Sequence, residues 1–321
     1  MPETIPVYFV MMPDCLLLDV AGPADALRFA NQELIKRGET ARFDMHFVAP
    51  HACGKSSVGL QFAGLEALPG VLPDNAWIVL PGGWARDLGV GADKENRSIV
   101  SWLRQAVKPN LQQVITICAG ALYAAAAGLL DGRRCTTHHG QIERLRALAP
   151  RAEVLENHVF VEDGCVASSA GVTAGIDLAL HLIARHIDPA CAARVAQSMV
   201  VYLRRGPLDP ELSPFLAHRN HLHAAVHRVQ DAICADPQQP WNITTMAAAG
   251  CVSPRHLTRI FSQHTGVSPL DYLRNIRLTV AERAIKQGAS RVRAAEIAGF
   301  SSDQQLRRAR HRPPSLLTHE A

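Results

Sequence analysis

Cys118 has the surroundings of a reactive thiol. The β-branched run Val114–Ile117 leads straight into Cys118-Ala119-Gly120-Ala121 and an Ala-rich stretch, the pattern of a strand, a sharp bend and a helix. A thiol at such an elbow lies at a helix N-terminus, where backbone N–H groups and the helix dipole favour thiolate. The small neighbours suit the tight turn. Gly82-Gly83 follows another apolar run, Trp77–Leu80, and can bring a second backbone N–H close, as an oxyanion hole needs. Asp19 is expected at the end of an early strand-like segment, its carboxyl reaching Cys118 across neighbouring strand ends. Ala119, not a histidine, directly follows Cys118, so a general base has to come from elsewhere in the chain. His138 or His139 can serve only if the fold brings it within hydrogen-bond reach. The plainer expectation is that His138 packs structurally at a helix start, and that Cys118 lines a small-ligand pocket without turning over substrate. The expected ligand contacts are Asp19, Gly82, Gly83, Cys118, Ala119 and His138, with Cys118 as candidate nucleophile and no catalytic residue assigned.

A second chemistry is written in Trp241–Gly266. Ile243, Met246 and Ala247 give a short helix an apolar face, Gly250-Cys251-Val252 makes a turn, Ser253 suits an N-cap and Pro254 the first helical position. In the next helix Leu257, Ile260 and Phe261 share one side, while Arg255, Thr258, Arg259 and Ser262 share the other. An apolar back and a donor-rich front suit a helix that reads DNA, since Arg pairs bidentately with guanine and Ser or Thr binds phosphate or bases. Arg291–Arg310 repeats the layout: Ala294, Ala295 and Ile297 pack, Gly299-Phe300 turns, Ser301 or Ser302 caps, and Gln304, Gln305, Arg307 and Arg308 follow. Pro269–Gln287 is the expected connecting helix.

The elements that must carry these groups fall into two textures. Up to about residue 187, short apolar runs (Ile5–Met11, Arg42–Ala49, Trp77–Leu80, Val114–Ile117) alternate with helical stretches (Ala21–Arg37, Glu95–Val107, Thr173–His186). Asp163-Gly164 marks a hairpin between His158–Val161 and Cys165–Ala167. This alternation predicts an α/β domain with a mostly parallel sheet sandwiched by helices. Pro189–Arg205 reads as a helix, followed by a broken Gly/Pro/Asp connection. Beyond 221 only helical signals remain, predicting an all-α domain with two helix-turn-helix units. The expected domains are 1–187, a helix and linker over 188–220, and 221–321.

Composition narrows the function classes. In 321 residues, 48% hydrophobic and 19% charged, a sizeable core is available and general disorder is excluded. No apolar run is long enough to span a membrane, and the N-terminus lacks a basic n-region, so the expectation is a cytoplasmic chain without signal peptide. Eight cysteines without a CxxC pair indicate reduced thiols. Residues 221–321 hold 13 Lys+Arg against 7 Asp+Glu, and residues 1–220 hold 20 against 22, which suggests an anionic partner for the C-terminal third. His218, His221, His223 and His227 cluster, but no nearby carboxylate or Cys completes a metal set, so a solvated helix face is expected and no cofactor or metal.

Residues 221–310 resemble the AraC/XylS family of bacterial transcription regulators. The motifs are Ser253-Pro254-Arg255-x-Leu257-x-Arg259-x-Phe261, Gly266-x-Ser268-Pro269-x-x-Tyr272-Leu273-x-x-Ile276-Arg277 and Gly299-Phe300-x-Ser302. The resemblance implies two units entering successive major-groove faces of double-stranded DNA, with Arg255 and Arg259 in the first recognition helix and Gln304 and Arg308 in the second; the expected DNA contacts are Arg255, His256, Thr258, Arg259, Ser262, Ser302, Gln304, Arg307 and Arg308. Arg310 stands where the family usually places an aromatic residue, and the family's closing Gly-x-x-Pro-x-x-Tyr is absent. Residues 5–187 resemble the PfpI/ThiJ branch of the class I glutamine amidotransferase-like fold through Asp19-x-Ala21-Gly22-Pro23, Pro81-Gly82-Gly83, Ile117-Cys118-Ala119-Gly120-Ala121, Ala126–Arg133, Thr136-Thr137-His138 and Ala174-Gly175-Ile176-Asp177. The combined architecture is similar to GlxA-type regulators. It implies an effector-controlled regulator, and a homodimer is expected because two copies read a longer, more specific DNA site; the alternative is a Cys118-dependent hydrolase or isonitrile-hydratase-like enzyme with a helical appendage.

Overall fold

The computed structural model describes residues 4–83, 94–108, 110–201, 205–206, 218–219, 221–286 and 288–311. The chain divides into two compact units, Met1–Glu211 and Leu212–Ala321.

The first unit opens with β1 (Ile5–Val10), α1 (Leu17–Lys36) and β2 (Phe43–Ala49). The short strands β3 (Cys53–Lys55), β4 (Gln61–Ala63) and β5 (Glu66–Ala67) precede β6 (Trp77–Leu80), α2 (Lys94–Ala106), β7 (Gln113–Ile117) and α3 (Gly120–Ala126). Then come β8 (Arg134–Cys135), α4 (Ile142–Leu148), β9 (Glu153–Val154), β10 (Phe160–Asp163), β11 (Val166–Ser169), α5 (Thr173–His186) and α6 (Pro189–Ser198). The main sheet runs β10-β11-β7-β6-β1-β2-β5. Its pairs are parallel except β10 with β11, the hairpin expected at Asp163-Gly164. The α/β class with a mostly parallel sheet is therefore as the alternation predicts. Strands buried on both faces read as continuous apolar runs, and all four residues of Trp77–Leu80 are buried. Phe9, Trp77, Val79, Ile115 and Ile117 meet Pro23, Leu27, Leu178 and Leu182 of α1 and α5 in one core layer.

Two expected boundaries are corrected. The helix expected at Ala21 begins at Leu17, which puts Asp19 in the first turn of α1 and off any strand, with Pro23 inside the helix. The helix expected over Pro189–Arg205 stops at Ser198, because Met199 caps it and Val200 turns to a φ of 54°. α6 packs on α1, tied by Arg37–Asp188 at 2.6 Å and by Arg194–Glu33.

The second unit is helical: α7 (Ala224–Ala235), α8 (Ile243–Gly250), α9 (Pro254–Thr265), α10 (Pro269–Lys286), α11 (Arg291–Ile297) and α12 (Asp303–His311). Two cores form. One joins α7, α8, α9 and the first half of α10 through Val226, Val229, Met246, Leu257, Phe261, Tyr272 and Ile276. The other joins the second half of α10 to α11 and α12 through Ala281, Ala284, Ala294, Ala295, Phe300 and Leu306. Arg277 on α10 donates to the Pro237 and Gln239 carbonyls, both at 2.8 Å, fixing the α7–α8 loop. Among the described residues, no helix is long and apolar enough to cross a membrane.

Candidate functional site

Cys118 sits at the carboxyl end of β7 with φ 54°, a backbone state a non-glycine residue seldom adopts. Its N–H donates to Ser169 O at 3.0 Å and its carbonyl accepts from Thr137 Oγ1 at 2.7 Å, so both neighbouring segments hold the elbow. Open parallel sheets bind ligands outside such strand ends.

Asp19 is fully buried beside it. One carboxylate oxygen accepts the Gly82 N–H at 3.0 Å, the other the Val172 N–H at 2.7 Å, and the Cys118 side chain is a further hydrogen-bond partner. Burial raises the Asp19 pKa; the hydrogen bonds from Val172, Gly82 and Cys118 pull it back down. The Gly82 amide is thus engaged by the carboxylate and is not free for the oxyanion hole expected of it. A side chain at Gly82 would stand 2.6 Å from Asp19 Oδ2 and 2.7 Å from Cys118 Cβ, and one at Gly171 2.1 Å from Cys118 Cβ. Only glycine leaves room for the thiol at these two positions.

The structure therefore brings Asp19, Gly82, Cys118 and Ala119 together. Gly83 is turned the other way, bridged to Cys15 and packed on the Pro13 carbonyl. His138 caps a short 3-10 turn, its Nδ1 accepting from Gly140 N–H at 3.2 Å, and its ring lies tilted against His139 with centroids 4.0 Å apart. Thr137, Gly171 and Val172 also belong to the site; of the three, only Thr137 falls in a sequence motif, Thr136-Thr137-His138. Gly171 stands just before a helix, which is the only sequence signal for it.

The second candidate surface lies on α9 and α12. Ser253 Oγ accepts from His256 N–H and Ser302 Oγ from Gln305 N–H, which settles the second cap on Ser302. Leu257, Ile260, Phe261 and Leu306 are buried. Arg255, His256, Thr258, Arg259, Ser302, Gln304, Arg307 and Arg308 are exposed, and Ser262 is half-buried. Arg259 reaches Gln263 and His256 at 3.3 Å, and Arg307 pairs with Asp303 at 3.1 Å; these contacts hold each guanidinium along its helix. Arg310 pairs with Glu282 of α10 at 3.8 Å.

The histidines are not a solvated face. His221, His223 and His227 are half-buried, with His221 4.2 Å from His227 and His223 4.8 Å from His264 between ring centroids. Burial, then the neighbouring histidines, lowers the His221 pKa.

Residues 7–185 match the DJ-1/PfpI family and residues 246–312 a helix-turn-helix domain. The chain is 33% identical over 187 residues to the HTH-type transcriptional regulator GlxA of Rhizobium meliloti (strain 1021), a match covering 58% of this chain and 57% of that protein. It is 26% identical over 307 residues to the HTH-type transcriptional regulator GbdR of Pseudomonas aeruginosa (strain UCBPP-PA14), covering 92% of this chain and 78% of that one. It is 29% identical over 215 residues to the isonitrile hydratase of Pseudomonas putida, covering 65% and 84%.

Proposed function

This chain belongs to the DJ-1/PfpI family and carries a helix-turn-helix domain, and from that premise we propose that it is a sequence-specific DNA-binding transcription regulator controlled by a small polar metabolite bound beside Cys118, Asp19 and Gly82. The observation that carries this reading is the pair of capped helices, α9 and α12, each with a buried apolar back and an exposed row of donors. Arg255, His256, Thr258, Arg259 and Ser262 contact DNA from the first helix; Ser302, Gln304, Arg307 and Arg308 contact it from the second. The relatives matched over the largest share of this chain carry regulator names, in line with a non-enzyme. The working state is a homodimer in the cytoplasm, which doubles the readers and lengthens the DNA site.

Fluorescence anisotropy on the chain's own upstream DNA, titrated with salt, tests this. Binding whose logarithm falls steeply with log salt supports it, since each neutralised phosphate adds a slope of about 0.9. Salt-insensitive or absent binding overturns it.

The isonitrile hydratase relative keeps a second reading open, a Cys118-dependent hydrolase or hydratase with a helical appendage. The engaged Gly82 amide and the alanine after the thiol speak against it. Cys118→Ala separates the two: a regulator keeps its DNA binding, an enzyme loses turnover.

A further inference from the structure

Asp19 does more than hold a thiol. It accepts the N–H of Val172, a residue with φ 52° and ψ −113°. A β-branched side chain adopts that backbone only under compulsion from its surroundings. The very next residue starts α5, and the first turn of α5 is gripped from elsewhere. Arg205 Nη2 donates to Thr173 Oγ1 at 2.9 Å, Arg205 Nε to Asp177 Oδ2 at 2.8 Å and the Arg205 backbone N–H to Asp177 Oδ1 at 2.9 Å. The Asp177 side chain is 5% exposed and that of Arg205 24%, so the pair is largely out of water. Arg205 lies beyond the end of α6, on the stretch of chain that runs on to the second unit at Leu212.

The contacts form one continuous path: Cys118 to Asp19, Asp19 to Val172, Val172 into the first turn of α5, and that turn to Arg205. We propose that Arg205 is a latch that reads the state of the Cys118–Asp19 site. A ligand that bonds to Asp19 competes with Val172 for the carboxylate. Val172 then relaxes from its strained backbone, Thr173 and Asp177 shift with it, and the grip on Arg205 changes. The two states differ in named contacts, as a ligand-driven shift requires. This inference rests on the regulator reading for its purpose, though not for its geometry.

The test uses the full chain with Asp19→Asn as the stand-in for a ligand, and Arg205→Gln, singly and together. Asn offers one acceptor where the carboxylate offers two, so it cannot hold both amides. The readout is amide hydrogen exchange at Arg205, whose own N–H is part of the latch. Arg205→Gln should speed that exchange about tenfold, the change ~1.4 kcal/mol brings. Asp19→Asn should speed it several-fold, and the double variant should be no faster than Arg205→Gln alone. Thr173→Val, which removes one latch bond on an exposed residue, guards against a misfolded variant and should give a smaller acceleration. Unchanged Arg205 exchange in Asp19→Asn, or additive effects in the double variant, overturns the latch. DNA affinity is measured on the same proteins: single variants that change it in the same direction, without adding, support the coupling. Coupled exchange in a chain that binds no DNA removes the regulator reading and leaves the latch standing; normal DNA binding without coupled exchange removes the latch.

Discussion

Gly299 should be far less replaceable than Gly266, although both have left-handed backbones, φ 79° and 74°. A Cβ at Gly266 would meet nothing within 4 Å, so Gly266→Ala costs only the left-handed conformation, about 1–2 kcal/mol. A Cβ at Gly299 would stand 2.7 Å from Gln238 Cα and 3.1 Å from the Gln238 and Pro237 carbonyl oxygens. Those are backbone atoms of the loop that Arg277 also clamps, so they cannot rotate aside. Overpacking of this kind adds about 1–3 kcal/mol. The damage should concentrate in α11 and α12, which follow from and flank Gly299. Native-state hydrogen exchange locates it: amides of α11 and α12 in Gly299→Ala should exchange roughly ten times faster than in Gly266→Ala, or more, since ~1.4 kcal/mol is a factor of ten. DNA affinity should fall in step. Equal exchange in the two variants would refute the argument that the second reading unit is seated on the Pro237–Gln238 backbone.

Backbone strain, burial and ring packing set three further outcomes. Cys251 occupies the left-handed turn between α8 and α9 at φ 56°, so Cys251→Gly should raise the stability of the second unit by about 0.5–1 kcal/mol, measured by urea denaturation; a loss of stability would contradict it. The exposed thiols Cys53 and Cys251 should be alkylated first by iodoacetamide at pH 7.5, with Cys15 and Cys135 last, because burial pushes both of the latter up to about 11; mass spectrometry showing Cys135 among the first would contradict this. His186, edge-on to Trp77 at 4.9 Å, has its pKa lowered chiefly by burial. The neutral ring therefore contributes stability above the unfolded value near 6.5, lost as pH falls through the lower folded value, so the wild type's melting temperature should drop more between pH 7.5 and 5 than that of His186→Phe.

Much of this was legible in the sequence, for identifiable reasons. Short apolar runs have no competing helical period, so the sequence predicts Trp77–Leu80 to the residue and Val114–Ile117 to within one. Caps and turns are local chemistry, so Ser253-Pro254 and Gly299-Phe300 could be placed without tertiary knowledge. Pro23 misled, because proline usually marks a helix start; here tertiary packing against the sheet sustains a helix through it, and Asp19 moved from strand end to helix. Cys118 and Asp19 were recognised as a pair, yet the groups that complete the site were not. Gly171 reaches Cys118 and Val172 reaches Asp19 through the short loop from β11 to α5, and nothing local encodes that approach. The same holds for the histidines: spacing along α7 showed one face, while His264 arrives from α9.

The central claim is that exposed guanidiniums on α9 and α12 hold DNA. Measuring affinity for the upstream promoter fragment across a salt series for wild type, Arg259→Ala and Arg293→Ala tests it most directly. Arg293 is an exposed cation on α11, paired with Glu296 of the same helix and part of neither α9 nor α12. Arg259→Ala should lose about 1–3 kcal/mol of binding if it reads a base edge, while Arg293→Ala should bind like wild type. Equal behaviour of the two variants, or no salt-dependent binding by the wild type, would contradict the account.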